Sequence, residues 1–225
     1  MKIAPLFAAA ALILTLQTSH AITLLQVDDF ENGTTDSWAN GGSSQPLNIT
    51  TGGPAGVNDN FLKITADGSG SLGRLTIFNR SQWIGDYVAA GVNEIDMDLE
   101  NLGSVTLNIR LAFKSSTAGQ TTPGYLSSAF SLPADSTWHH ATFSITAANM
   151  IAFNSPAVFS TFMTNPAELR IINESGTSNL VGDPVVSQLG VDNIKAVPEP
   201  TAVAFLVGGF GALASWGVLR FARTH

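Results

Sequence analysis

The chain has 225 residues, with 17 acidic against 10 basic side chains and no cysteine. Without disulfides, the fold must be held by a hydrophobic core or a bound metal. From Ile22 to Ala196 there are 16 acidic and 7 basic residues, a net charge of −9 that disfavours nucleic acid and anionic membrane surfaces as partners.

The first stretch has Lys2 as its one early charge, a largely apolar run from Ile3 to Leu16, and the small residues Ser19 and Ala21 flanking His20. This is the pattern of a secretory signal peptide, cut by signal peptidase after Ala21. The domain that follows, residues 22–196, is long enough for one globular unit with a real core.

That domain reads as β nearly throughout. A first strand is expected over Leu24 to Asp28, followed by a Gly-, Asn- and Ser-rich stretch. Leu47 to Thr51, Phe61 to Ala66 and Leu72 to Phe78 alternate apolar and polar residues, with Asp67-Gly68-Ser69-Gly70 as a hairpin turn. Glu94 to Leu99 and Val105 to Phe113 are expected to pair around Gly103. Tyr125 to Leu132 and His139 to Ile145 are expected to pair around Pro133 to Ser136. Ser155-Pro156 opens a short helical turn, and Leu169 to Asn173 and Leu189 to Ala196 close the domain. About ten short strands at even spacing predict an all-β fold, an antiparallel sandwich of the jelly-roll kind.

The last stretch has three parts. Val197-Pro198-Glu199-Pro200 comes first, and its prolines break both helix and strand. An uncharged apolar run from Ala202 to Leu219 follows, and then a basic end with Arg220 and Arg223. Such a run is long enough for a transmembrane helix, and the two arginines place its end in the cytoplasm. The three-part order resembles the PEP-CTERM sorting signal of exported bacterial proteins. That resemblance implies recognition by an exosortase, transient residence in the inner membrane, and delivery to the cell envelope, surface or extracellular matrix of a Gram-negative-type bacterium.

A second resemblance lies inside the domain. Asp28-Asp29-Phe30-Glu31-Asn32-Gly33 and Leu189-Gly190-Val191-Asp192-Asn193-Ile194 look like the first and last strands of carbohydrate-binding jelly rolls. It implies that these strands lie side by side, and that Glu31 and Asp192 hold a structural calcium ion. Asn79, Trp83-Ile84-Gly85-Asp86-Tyr87, Asn101 and Arg110 resemble a pattern that recurs in exported proteins with this tail, and it implies no activity of its own.

Other residues are explained without chemistry. Asp96, Asp98 and Glu100 alternate with Ile95, Met97 and Leu99, as the wet face of a half-buried strand does. Adjacent His139 and His140 point to opposite faces of a strand, which argues against zinc. No motif demands catalysis, so no catalytic residue is expected. Among Trp38, Trp83, Tyr87 and Trp138, the loop-like setting of Trp83 and Tyr87 makes them the expected glycan contacts. The expectation is a non-enzymatic exported protein, structural or bound to extracellular polysaccharide. The alternatives are an exported polysaccharide-acting enzyme and a simple membrane-tethered envelope protein.

Overall fold

The structure is a computed structural model that describes residues 21–41, 44–70, 73–118, 121–177 and 179–198. The stretch through His20 expected to be a signal peptide, Glu199, Pro200, the apolar run 202–219, Arg220 and Arg223 lie outside the described residues. Among those described, no helix is long and apolar enough to cross a membrane.

The chain forms β1 (Val27–Asp28), β2 (Ala39–Asn40), β3 (Leu47–Ile49), β4 (Phe61–Asp67) and β5 (Thr76–Asn79), then the one-turn helix α1 (Tyr87–Ala90). It continues through β6 (Glu94–Asn101), β7 (Leu107–Lys114), β8 (Gly124–Ser127), β9 (Phe130–Leu132), β10 (Trp138–Ser144) and β11 (Met150–Phe153). A second short helix, α2 (Phe159–Phe162), precedes β12 (Glu168–Asn173) and the long β13 (Val186–Val197). One antiparallel sheet runs β10-β6-β13-β4-β3, with β1 also on β13. The other runs β11-β8-β7-β12-β5-β2, with β9 also on β7. First and last strands are neighbours, with Val27 opposite Lys195 and Asp28 opposite Ile194.

Strand alternation builds the core. On β6, Ile95, Met97 and Leu99 are fully buried, while Asp96, Asp98 and Glu100 face outward at intermediate exposure. Facing residues such as Leu62, Ile64, Ile109, Leu111, Leu169, Ile171, Leu189 and Val191 complete one continuous apolar cluster between the sheets. Flanked by β10 and β13, β6 is an interior strand, so its row of carboxylates does not guard an edge.

The expected hairpins do not form. β6 and β7 lie in different sheets, as do β4 and β5, and β10 pairs with β6 instead of with β8 or β9. A period-two pattern records which face is buried and says nothing of which sheet receives it. At the β6–β7 crossover the chain passes tightly against the start of β13, where a Cβ on Gly103 would lie 2.0 Å from Ser187 Oγ. The expected strand from Tyr125 to Leu132 is split into β8 and β9, both paired with β7, by the exposed Ser128-Ala129 step.

Buried side-chain amides finish these crossovers. The Asn101 side chain donates to Val105 and Leu132 carbonyls and accepts from the Gly103 N–H. Asn79 donates to the Asp36 carbonyl and accepts from Ser81 and Trp83 N–H groups. Arg110 donates to the Glu174 and Ser127 carbonyls. Of the recurring pattern noted in sequence, Asn101 fastens the β6–β7 crossover, Asn79 ties Asp36 to the segment after β5, and Arg110 ties β7 to the ends of β8 and β12.

Asn101→Ala removes the partner of the Gly103 N–H, of the Val105 carbonyl and of the buried Leu132 carbonyl, and the expected destabilisation is about 1–3 kcal/mol. The urea midpoint should fall with little change in the slope of the transition.

Candidate functional site

The outer face of the β1-containing sheet carries a compact group of side chains. By register, Gly190 lies opposite Lys63 on one side and Glu100 on the other, and Trp138 lies opposite Glu100. The next row pairs Asp192 with Asp98 and Asp98 with His140. Because Gly190 has no side chain, the Trp138 ring leans across it. A Cβ there would meet Trp138 Cη2 at 2.9 Å and Phe61 Cδ2 at 3.4 Å. The two rings meet edge to face, with centroids 5.4 Å apart at 80°. The Trp138 indole N–H donates to the Gly52 carbonyl at 3.0 Å, fixing the ring while leaving it only half-buried.

Polar groups flank this platform. Asp98 sits between His140 Nδ1, at 3.0 Å from its Oδ1, and Asn193 Nδ2, which donates to its Oδ2 at 2.9 Å. Asn193 is placed there by a register shift between Asp192 and Lys195 and by its own φ of 51°. Burial pushes the Asp192 carboxyl up to about 7. The Asn193 N–H opposes that rise, and the charges of Asp59, Asp98 and Asp29 reinforce it. Glu100 is raised too, by burial and then by Asp135. The face can offer a fixed apolar ring next to hydroxyl-binding donors and acceptors.

The sequence expectations fall elsewhere. Trp83 and Tyr87 are 0% and 1% exposed, so their placement as glycan contacts is corrected: both are core residues. The buried Asp28 carboxylate explains Trp83, because its Oδ2 accepts from Trp38 Nε1 and Trp83 Nε1, each at 2.7 Å, and from Gln82 at 3.1 Å. The Tyr87 hydroxyl donates to the Trp83 carbonyl, and its ring packs edge-on against Phe113. Burial, offset in part by the two indole donors, leaves Asp28 raised to about 6.

Glu31 accepts from the Asn60 N–H at 2.7 Å, while both Asp192 oxygens engage Asn193. Among the described residues, no three histidine or acidic side chains are grouped so as to hold a metal ion. Of the residues expected to form a sorting motif, Val197 is the last residue of β13, opposite Glu94, and its carbonyl accepts from the Asn93 N–H. Pro198 is buried beside it. Phe61 and Gly190 were not singled out from sequence as site residues, and Asp98 and His140 were set aside there as a wet strand face and a pair unable to chelate. The signal for His140 and Trp138 was their shared parity against buried Ala141 and Phe143 on β10.

A cavity of about 520 Å³ lined by Thr34, Thr35, Asp36, Ser37, Ser81 and Gln82 lies elsewhere, and its lining has no aromatic ring.

No family model and no curated protein matches the chain. Among solved structures, an exo-β-agarase matches 79% of this chain at 12% identity with a TM-score of 0.53. The chain spans 25% of the length of that agarase chain, and the likeness is one of fold. A carbohydrate-binding module specific for non-crystalline cellulose matches 79% of this chain and 97% of its own, at 12% identity and a TM-score of 0.49. A family 11 carbohydrate-binding module from Clostridium thermocellum, in complex with a mixed-linked tetrasaccharide, matches 78% and 96% at 15% identity and 0.45.

The raised carboxyls set the sign of the pH dependence. Folded Asp28 and Asp192 hold protons at about 6 and about 7, whereas an unfolded aspartate releases its proton near 3.8. The folded state therefore binds more protons between these values, and stability rises as pH falls from about 7 towards 4. Asp67, Asp135 and Asp183 are held low by hydrogen bonds from Ser69, His139 and Ser175 respectively, with burial opposing the shift at Asp183 most strongly. Stability from these three is lost at still lower pH. Thermal melts should peak in mild acid, and Asp192→Asn should flatten the neutral limb by raising Tm there.

Proposed function

We propose that the sandwich is a non-enzymatic glycan-binding or structural unit of an exported protein, and that its outer sheet face around Trp138 receives the glycan. The observation that carries this reading is the half-buried Trp138 ring. It is pinned by Gly52 and Phe61 above a side-chain-free Gly190, with Lys63, Glu100, Asp98 and His140 around it. A fixed aromatic face buries the apolar face of a sugar ring at little conformational cost, while neighbouring polar groups hold its hydroxyls. The acidic surround favours neutral or cationic polysaccharide over anionic polymers. The fold shared with a quarter of an exo-β-agarase supports a setting among polysaccharides.

Export enters the same proposal from sequence: cleavage after Ala21 by signal peptidase, membrane insertion through 202–219, and processing by an exosortase near Val197-Pro198-Glu199-Pro200, with Arg220 and Arg223 left in the cytoplasm. The destination is the envelope, surface or matrix. A structural calcium ion near Glu31 and Asp192 is also part of it. Support for calcium comes from the buried Asp192 carboxyl, on which three other aspartates act unfavourably. A cation there would relieve that repulsion.

Titration with neutral polysaccharides such as agarose and cellulose fragments, in calcium and in chelator, tests the binding. Trp138→Ala is expected to lose about 2 kcal/mol or more, roughly thirtyfold in Kd, with its far-UV spectrum intact. Unchanged binding in that variant would overturn the site, and identical melts with and without calcium would remove the ion.

Intact mass of the protein recovered from its host tests the sorting. A product that begins at Ile22 and ends between Pro198 and Thr201 is expected. A chain still running to His225 would rule out processing and leave a tethered domain.

A further inference from the structure

The described chain begins and ends at the same end of the sandwich. Leu25 N–H donates to the Ala196 carbonyl, Ile22 N–H to the Ile84 carbonyl, and Asn93 N–H to the Val197 carbonyl. Tyr87 N–H donates to the Met163 carbonyl, which brings α1 and α2 to that end as well. Five of the large hydrophobic side chains left exposed in the fold belong to these segments: Leu24, Leu25, Val27, Val88 and Val158, at 40%, 57%, 45%, 55% and 74%. An apolar cavity of about 280 Å³ lies beside them, lined by Tyr87, Val88, Val92, Ile145, Phe159 and Met163.

Charge is sparse in the same segments. Residues 21–27 and 141–167 contain no acidic, basic or histidine residue, and residues 84–93 contain only Asp86, whose side chain caps α1. Glu94, opposite Val197, and the exposed Lys195, opposite Val27, stand at its margin. The apolar side chains beside them form a patch whose covering water would be expected to favour. The chain length beyond it says what covers it. Three residues lie between Pro198 and Ala202, where the uncharged apolar run begins, so the chain takes four residue steps. Fully extended, they reach about 14 Å. A membrane-inserted run would therefore hold this end at the lipid headgroups.

We infer that this end of the sandwich is a membrane-docking surface, seated on a lipid bilayer while the tail is inserted. Leu25, Val88 and Val158 enter the interface, where burial of aliphatic side chains is favourable and few charges must be desolvated. The acidic sheet face stays in solution. The inference rests on the membrane reading of 202–219, and the test below separates the two.

The full chain has no native cysteine, so single-cysteine variants can be labelled with a fluorophore and reconstituted in phosphatidylcholine vesicles carrying a headgroup quencher. L25C, V88C and V158C probe the docking end. V105C and V186C, 45% and 69% exposed, lie at the opposite end and serve as controls. The expected result is flotation with the vesicles, with loss of fluorescence at 25, 88 and 158 and none at 105 and 186. Flotation with no loss at 25, 88 and 158, or with equal loss at all five, would overturn the docking surface and leave the membrane tail standing. Crosslinking of two copies through V88C without quenching would assign this end to a second copy and overturn it as well. Failure to float would remove the tail reading and the docking with it.

Discussion

Asp28 imposes the demand that the rest of the domain answers. A carboxylate buried at the start of a strand costs several kcal/mol unless donors surround it, and here two indole N–H groups and an amide all converge on one oxygen. Those donors come from Trp38, ten residues on, and from Gln82 and Trp83, more than fifty residues on. Satisfying one acid therefore fixes how the first strand, the 34–38 turn and the segment leading to α1 sit together. In a chain without cysteine, this cluster makes long-range connections of the kind a disulfide would otherwise supply. The two indoles then pack beside each other, with centroids 6.3 Å apart, and extend the apolar core to the rim of the sandwich.

The same economy of buried polar groups shapes the second sheet. Its outer face is not solvent-washed: Ala112, Leu126 and Ile172 are covered by Leu180, and Glu168 is enclosed by Arg80, Lys114 and Arg170. Arg80 and Arg170 also lie over the Phe78 ring. That leaves the opposite face, with Trp138 and the acidic rows of β6, as the broad sheet surface open to solvent. Division of labour between the sheets follows from Leu180 and its neighbours after β12 folding over one of them.

Much of the core was legible in sequence because alternation is a local signal. Ile95, Met97 and Leu99 announced their inward face, and the paired first and last strands followed from their likeness to known jelly rolls. Sheet assignment was not legible, since the crossovers depend on tight backbone passage at Gly103 and on amides such as Asn101 whose partners are dozens of residues away. Trp83 and Tyr87 misled for a related reason. Their loop-like neighbours suggested exposure, but the acid that draws Trp83 inward stands 55 positions earlier. Trp138 became the candidate contact only through Gly190, a residue whose role is to be absent as a side chain. No pattern in one chain reports that two distant positions need empty space between them.

The twelve residues of β13 run to Val197, with hydrogen-bonded neighbours on both sides and no slack before Pro198. Tension applied beyond Pro198 is consequently delivered along the axis of a central strand. If the sheet face is held at the same time, many backbone hydrogen bonds must shear together before β13 slides, instead of parting one after another as at a peeled edge. Force passing between Pro198 and the outer sheet face would thus be shared among the hydrogen bonds on both sides of β13.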